Sequence, residues 1–146
     1  MSRELTVHEV EVAEQREVQL RELQAASADM LLEINARIGI EGRDARAGEL
    51  DLHLRGLRAE LEGDPMLRVW WLTRLGVWIA WTLTCECGGE WMLDRDPQSR
   101  SFLRAVLGNY PGAEKVRHDP MQIAAAVTDA GEDLEGLLAG VMSEIV

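Results

Sequence analysis

The sequence holds two cysteines, a single lysine and no long uncharged apolar run, and each shortage removes a class of protein. Cys85 and Cys87 stand one residue apart, a spacing at which a mutual disulfide is strained, so the chain is no disulfide scaffold and suits a reducing compartment. The most apolar stretch, Met66 to Cys87, is broken by Arg68 and Arg74. What remains uninterrupted is too short to cross the ~30 Å hydrocarbon core of a bilayer. Near the start, Glu4, Glu9, Glu11, Glu14 and Glu17 occupy the place where a secretory signal needs a basic and then an apolar stretch. These readings together predict a cytoplasmic protein with no membrane contact. Lys115 is the one lysine beside 14 arginines, a bias to which no chemistry is assigned.

What is there is ordinary globular material. At 146 residues, with 47% hydrophobic and 28% charged residues, the chain has the composition of one folded domain that buries about two-thirds of its unfolded surface. Acidic residues outnumber basic ones 26 to 15, for a net charge of −11. Such a surface repels phosphate backbones, which argues against direct nucleic-acid binding.

The apolar spacing predicts an α+β fold, mainly helical, over residues 1–146. Leu5, Val7, Val10 and Val12 alternate among polar neighbours, so residues 1–11 read as a flexible arm. Leu20, Leu23, Met30, Leu31, Ile34 and Ile38 follow helical spacing, with Gly39 as the stop. A second seam, Ala47, Leu50, Leu54, Leu57 and Leu61, ends at Gly63. The glycine-rich stretch between the two predicts an antiparallel helical hairpin over 12–63, followed by an α+β part over 64–146. Asp64-Pro65 and Asp119-Pro120 repeat one helix-opening signal, an acidic cap followed by a residue with φ preset. The helix from Pro65 is apolar nearly all round and is placed at the centre. Beyond Gly76 the pattern is compatible both with a helix continuing to about Thr84 and with a strand through Trp81, Leu83, Cys85 and Cys87. A small sheet of two or three antiparallel strands is expected from Trp91–Asp94 and Ser101–Leu107, with Phe102 and Val106 facing the core. Two C-terminal helices, or one kinked near Gly131, close the chain.

Few residues combine into chemistry. Cys85-Glu86-Cys87 offers two soft ligands, but a structural zinc site needs two more, and His8, His53 and His118 are not spaced to supply them. Buried structural cysteines are the expectation, and no cofactor or metal is called for. His118-Asp119 with Cys85 could form a nucleophile system only through the fold, and Asp119 already serves as a cap, so no enzyme is predicted. The carboxylate pairs Glu132-Asp133 and Asp94 with Asp96 fit no calcium loop and read as a solvated face. Of the tryptophans Trp70, Trp71, Trp78, Trp81 and Trp91, helical spacing puts Trp70, Trp78 and Trp81 on one side and turns Trp71 elsewhere. Trp71 and Arg74, with the acidic Asp129, Glu132, Asp133 and Glu135, are therefore the candidate surface for a protein partner.

The run Leu75-Gly76-Val77-Trp78, then Gly88-Gly89-Glu90-Trp91-Met92-Leu93-Asp94, then Pro120 opening a helix, resembles a pattern in small uncharacterised bacterial α+β proteins, some of them similar to immunity proteins. It covers about residues 67–140. The resemblance implies an apolar helix leading into a Gly-Gly-x-Trp strand, a second strand and a closing helical pair, and it brings no catalytic residues. Two functions are expected from all this. The first is a non-enzymatic protein-binding module, immunity-like or antagonistic, whose acidic surface meets a basic partner. The second is a homo-oligomeric scaffold assembled through the N-terminal helices.

Overall fold

The computed structural model describes residues 3–145. In chain order the elements are α1 (Val7–Ile38), α2 (Ala47–Gly56), α3 (Arg58–Gly63), α4 (Pro65–Cys87), β1 (Glu90–Leu93), β2 (Ala105–Gly108), α5 (Pro120–Thr128) and α6 (Leu134–Ile145). The fold is mainly helical α+β, as the apolar spacing predicts.

The helix starts are set by short polar residues. Asp64 accepts from the amides of Met66 and Leu67 at 3.0 and 3.2 Å, and Asp119 does the same for Met121 and Gln122 at 3.1 and 3.2 Å. The predicted arm, whose first two residues lie outside the described ones, is in contrast helix from Val7 on. Thr6 Oγ1 accepts from the Glu9 amide at 3.1 Å while the Glu9 carboxylate accepts from the Thr6 amide at 2.9 Å, a reciprocal capping box that opens α1 at Val7. Arg3 grips the same carboxylate with two bonds of 2.6 and 2.7 Å, and the Glu9 carboxyl is held down at about 2, first by that guanidinium. At the far end Gly39 takes φ 79°, and α1, with 32 residues, runs about 48 Å.

The expected hairpin does not form as one. The second helical stretch breaks at Leu57, which leaves helical geometry at φ −100° and ψ 6°. α2 lies chiefly against α6, whereas α1 lies against α4 and β1. The loop between α1 and α2 is nevertheless tightly held. Asn35 accepts from the Ala45 amide at 3.0 Å and donates to Asp44 at 2.9 Å, and the Trp78 indole donates to the Ala45 carbonyl at 3.0 Å. The apolar seams of both stretches, including Leu31, Ile34, Leu50, Leu54 and Leu61, are buried in the chain's own core.

α4 is the central element and remains helical to Cys87, which decides between the two readings of that stretch. Its inner residues Trp71, Leu75, Ile79 and Leu83 recur every four positions and are buried, as is Trp78 beside them, while Trp81, Thr84 and Cys85 share the opposite, exposed side. Gly88, with φ 73°, ends it. At Gly76 a methyl would displace the Met121 thioether that packs over the bare Cα, and its absence lets α5 lie close on α4.

The sheet has two antiparallel strands, pairing Trp91 with Leu107 and Met92 with Val106. Outside the strands one isolated bridge joins Leu107 to His118 and another joins Tyr110 to Ala113. The second strand is shorter than the expected Ser101–Leu107. Ser101 to Arg104 lie in turns, with Leu103 at φ 61°, because they wrap around the carboxylate of Asp94. Val106 faces the core, but Phe102 is only half-buried and lies 5.8 Å beneath the Arg3 guanidinium. The closing segment is two helices, separated by Gly131 at φ 72°.

Candidate functional site

Four of the acidic residues named from sequence come together at the corner where α5 ends and α6 begins. Asp129, Glu132, Asp133 and Glu135 are all exposed, and none takes part in an ion pair among the described residues. Elsewhere Glu33 pairs with Arg74, and the half-buried Glu9, Glu17 and Glu49 pair with Arg3, Arg95 and Arg43, whereas other exposed acids, among them Glu11, Glu14, Glu22 and Glu60, form no ion pair with a described residue. The corner's own arginine is committed to backbone. Arg58 donates to the carbonyls of Val127, Thr128 and Asp129 at 3.4, 2.9 and 2.7 Å, which satisfies the open end of α5. It also meets Glu62 at 3.3 Å.

Beneath the corner sits a fifth carboxylate that the sequence did not single out. Asp51, on α2 and only 5% exposed, accepts from the amides of Leu134 and Glu135 at 2.7 and 3.0 Å. It thus caps α6 from 83 residues away. Burial, and then its contact with Asp133, push its carboxyl above the ordinary range against the pull of the two amides, while Asp133 is held below that range, first by its hydrogen bond to Asp51. The only sequence signal was a charge interrupting the apolar seam between Leu50 and Leu54. Beside the pair, Leu54, Arg55, Arg58 and Val127 line a shallow cavity of about 360 Å³.

Trp71 is a correction. It is fully buried, packed edge-on against Trp70 at 5.0 Å and against His53 at 5.4 Å, so it cannot anchor a partner. The assignment failed because Trp70, Trp78 and Trp81 do not share a side: the inner face of α4 passes through Trp71 and Trp78, and Trp81 is the indole left 38% exposed. Trp70 is half-buried between the guanidinium groups of Arg37 and Arg74, each 4.3 Å from its ring. Arg74 is engaged within the chain as well, through Glu33 at 2.9 Å and the Trp70 carbonyl at 3.2 Å, and lies between α4 and α1 and not at the acidic corner.

His118 and Asp119 are engaged in structure, whereas both cysteines are free thiols. Cys85 is exposed and Cys87 half-buried, so neither is the buried cysteine expected, although burial, then Glu86, raises the Cys87 thiol. His118 has an 8% exposed side chain and uses both ring nitrogens, Nδ1 to the Tyr110 hydroxyl at 3.0 Å and Nε2 to Glu144 at 2.9 Å. A carboxylate only accepts, so Nε2 carries hydrogen, and in the neutral ring Nδ1 accepts from the tyrosine. Burial pushes the Tyr110 hydroxyl well up and keeps it a donor. Asp119 divides its carboxylate between α5 and Arg104, 2.8 Å away. That contact lacks the alignment of a hydrogen bond, and we read it as an ion pair on its short distance. No group of three or more His, Cys, Asp or Glu side chains among the described residues is placed to hold a metal, and no helix among them is long and apolar enough to cross a membrane.

Asp94 is likewise not part of a solvated face. It is fully buried and accepts from the Asp96 amide at 3.0 Å, from Arg117 at 2.8 Å and from the Ser101 hydroxyl. Burial works to raise its carboxyl, but the bonds from Ser101, Ser99 and Asp96 and the Arg117 charge outweigh it, and the net shift is downward. A carboxyl lowered on folding lends stability above its unfolded value, about 3.9, and loses it as pH falls through the folded one. Asp94→Asn is therefore expected to be less stable than the wild type near neutrality, with a gap that narrows below about pH 4, measured as urea midpoints across the acid range. A gap of constant size would show that the Asp94 charge contributes nothing.

Compared with known proteins, the chain matches no protein-family model, no curated protein and no solved structure.

Proposed function

We propose that this chain is a non-enzymatic protein-binding module, immunity-like or antagonistic, that meets a basic partner through the α5–α6 corner. The observation that carries the reading is the set of four exposed carboxylates, Asp129, Glu132, Asp133 and Glu135, none of them in an ion pair with a described residue, with the Arg55 charge acting on Asp133 alone. Such a patch steers a positively charged protein during encounter and discriminates against acidic ones. The overall charge of −11 adds to the steering field. Capture of a basic protein from lysate of the source cells at low salt is the expected result. Its association rate falls at least about tenfold at high salt, and it is lost from a Glu132→Lys/Glu135→Lys double variant that keeps its helical circular dichroism. Capture that ignores both salt and the charge reversal would remove the reading.

A second reading, the homo-oligomeric scaffold, rests on the outward side of α1. Val18, Ala25 and Leu32 recur every seven residues there, with Val18 44% and Leu32 64% exposed, in the manner of a helix pairing seam. This differs from the seams named from sequence, which are buried in the chain itself. Light scattering that finds a monomer across a wide concentration range would exclude it.

A further inference from the structure

The net charge conceals a reversal of sign at the other end of α5. Between Arg95 and His118 the sequence carries five basic residues and only two acidic ones, against the trend of the whole chain. The fold gathers most of them around one open groove of about 740 Å³ beside the start of α5. Arg100, Arg104, Lys115 and Arg117 stand in its wall. Two of these are committed, Arg104 to Asp119 and Arg117 to the buried Asp94, each at 2.8 Å. Arg100 and Lys115 are exposed, and neither forms a hydrogen bond or an ion pair with another described residue. The groove also lies at the positive end of the α5 dipole.

The rest of the lining narrows the ligand. Val106 is the one apolar side chain in it, and its one ring, the His118 imidazole, is only 8% exposed and bonded at both nitrogens to Tyr110 and Glu144, so no open ring face is offered for a nucleobase to stack on. The remaining groups are hydroxyls, an amide and carboxylates, among them Ser99, Asp96, Glu114 and Gln122. Carboxylates repel a bare anion but accept hydrogen bonds from alcohols. The volume also exceeds what a lone phosphate fills, lying within the ordinary range for small-molecule sites. We infer that this groove binds a small phosphorylated polyol, its phosphate held by Arg100 and Lys115 and its hydroxyls by the acidic and amide side chains. The site is about 13 Å along α5 from the acidic corner and does not depend on the protein-binding reading.

Titration calorimetry of the full chain with inorganic phosphate, a hexose phosphate and the free hexose tests this. The hexose phosphate is expected to bind at least about tenfold more tightly than phosphate, with the free hexose weaker than both. Arg100→Ala and Lys115→Ala are each expected to weaken the hexose phosphate about tenfold. Because neither side chain is bonded within the fold, both variants stay folded, checked by unchanged circular dichroism and urea midpoint. Absence of hexose phosphate binding, equal affinity for phosphate and hexose phosphate, or folded variants that bind like the wild type would each overturn the assignment.

Discussion

Trp71→Ala is expected to lower the unfolding free energy by about 3–5 kcal/mol, the usual loss for truncating a large buried aromatic. The indole has no exposed surface and lies between Trp70 and His53, so the neighbours cannot close the gap without giving up their own contacts. Its Nε1–H has no acceptor, which makes the polar atom a cost already borne by the native state. Trp71→Phe therefore gives up part of the packing but also removes an unpaired donor, and it should cost well under half as much as alanine. Trp81→Ala, on the exposed side of the same helix, should cost no more than about 1 kcal/mol. Urea midpoints at an unchanged slope read all three. A benign Trp71→Ala beside a damaging Trp81→Ala would mean that the inner face of α4 is assigned to the wrong side.

Asp51→Ala carries the second large effect, about 2–4 kcal/mol. It leaves the buried amide of Leu134 and the half-buried amide of Glu135 without their acceptor, at about 1–3 kcal/mol for an orphaned group that is fully buried. It also removes a charge from the start of α6, where the helix dipole favours one. Asp51→Asn keeps one acceptor oxygen and should lose distinctly less. Hydrogen exchange supplies the local readout: in the alanine variant the Leu134 and Glu135 amides exchange faster than those in the middle of α4. Unchanged protection at those two positions would show that another group caps α6.

The elements were legible where one short stretch of chain decides its own conformation. Asp64-Pro65 and Asp119-Pro120 open helices because the carboxylate reaches amides two and three residues ahead, and Gly39 closes one because it reaches φ 79° freely. The start of α1 was equally local but misread, since the alternation of Leu5, Val7 and Val10 hid the reciprocal pair of Thr6 and Glu9. What remained illegible depends on partners distant in sequence. Asp51 looks like a stray charge until α6 arrives on top of it. Asp94 reads as surface until Arg117, 23 residues on, folds back to it. The acidic corner was partly legible because its four residues lie close in sequence, yet its want of ion pairs is a property of the folded surface alone. On a nearly all-apolar helix such as α4, a rotation of one position moves an indole from core to solvent, and Trp71 and Trp81 were exchanged for that reason.

The pinned loop between α1 and α2 bears on how copies of this chain avoid exchanging parts. A long terminal helix on a glycine-bearing hinge is the usual material of domain swapping, in which the hinge straightens and the helix docks on a neighbour. Here straightening would pull the Ala45 amide from Asn35 and its carbonyl from the Trp78 indole, stranding polar groups in the interior at about 1–3 kcal/mol apiece. The hinge is latched from inside, and these bonds favour α1 on its own core.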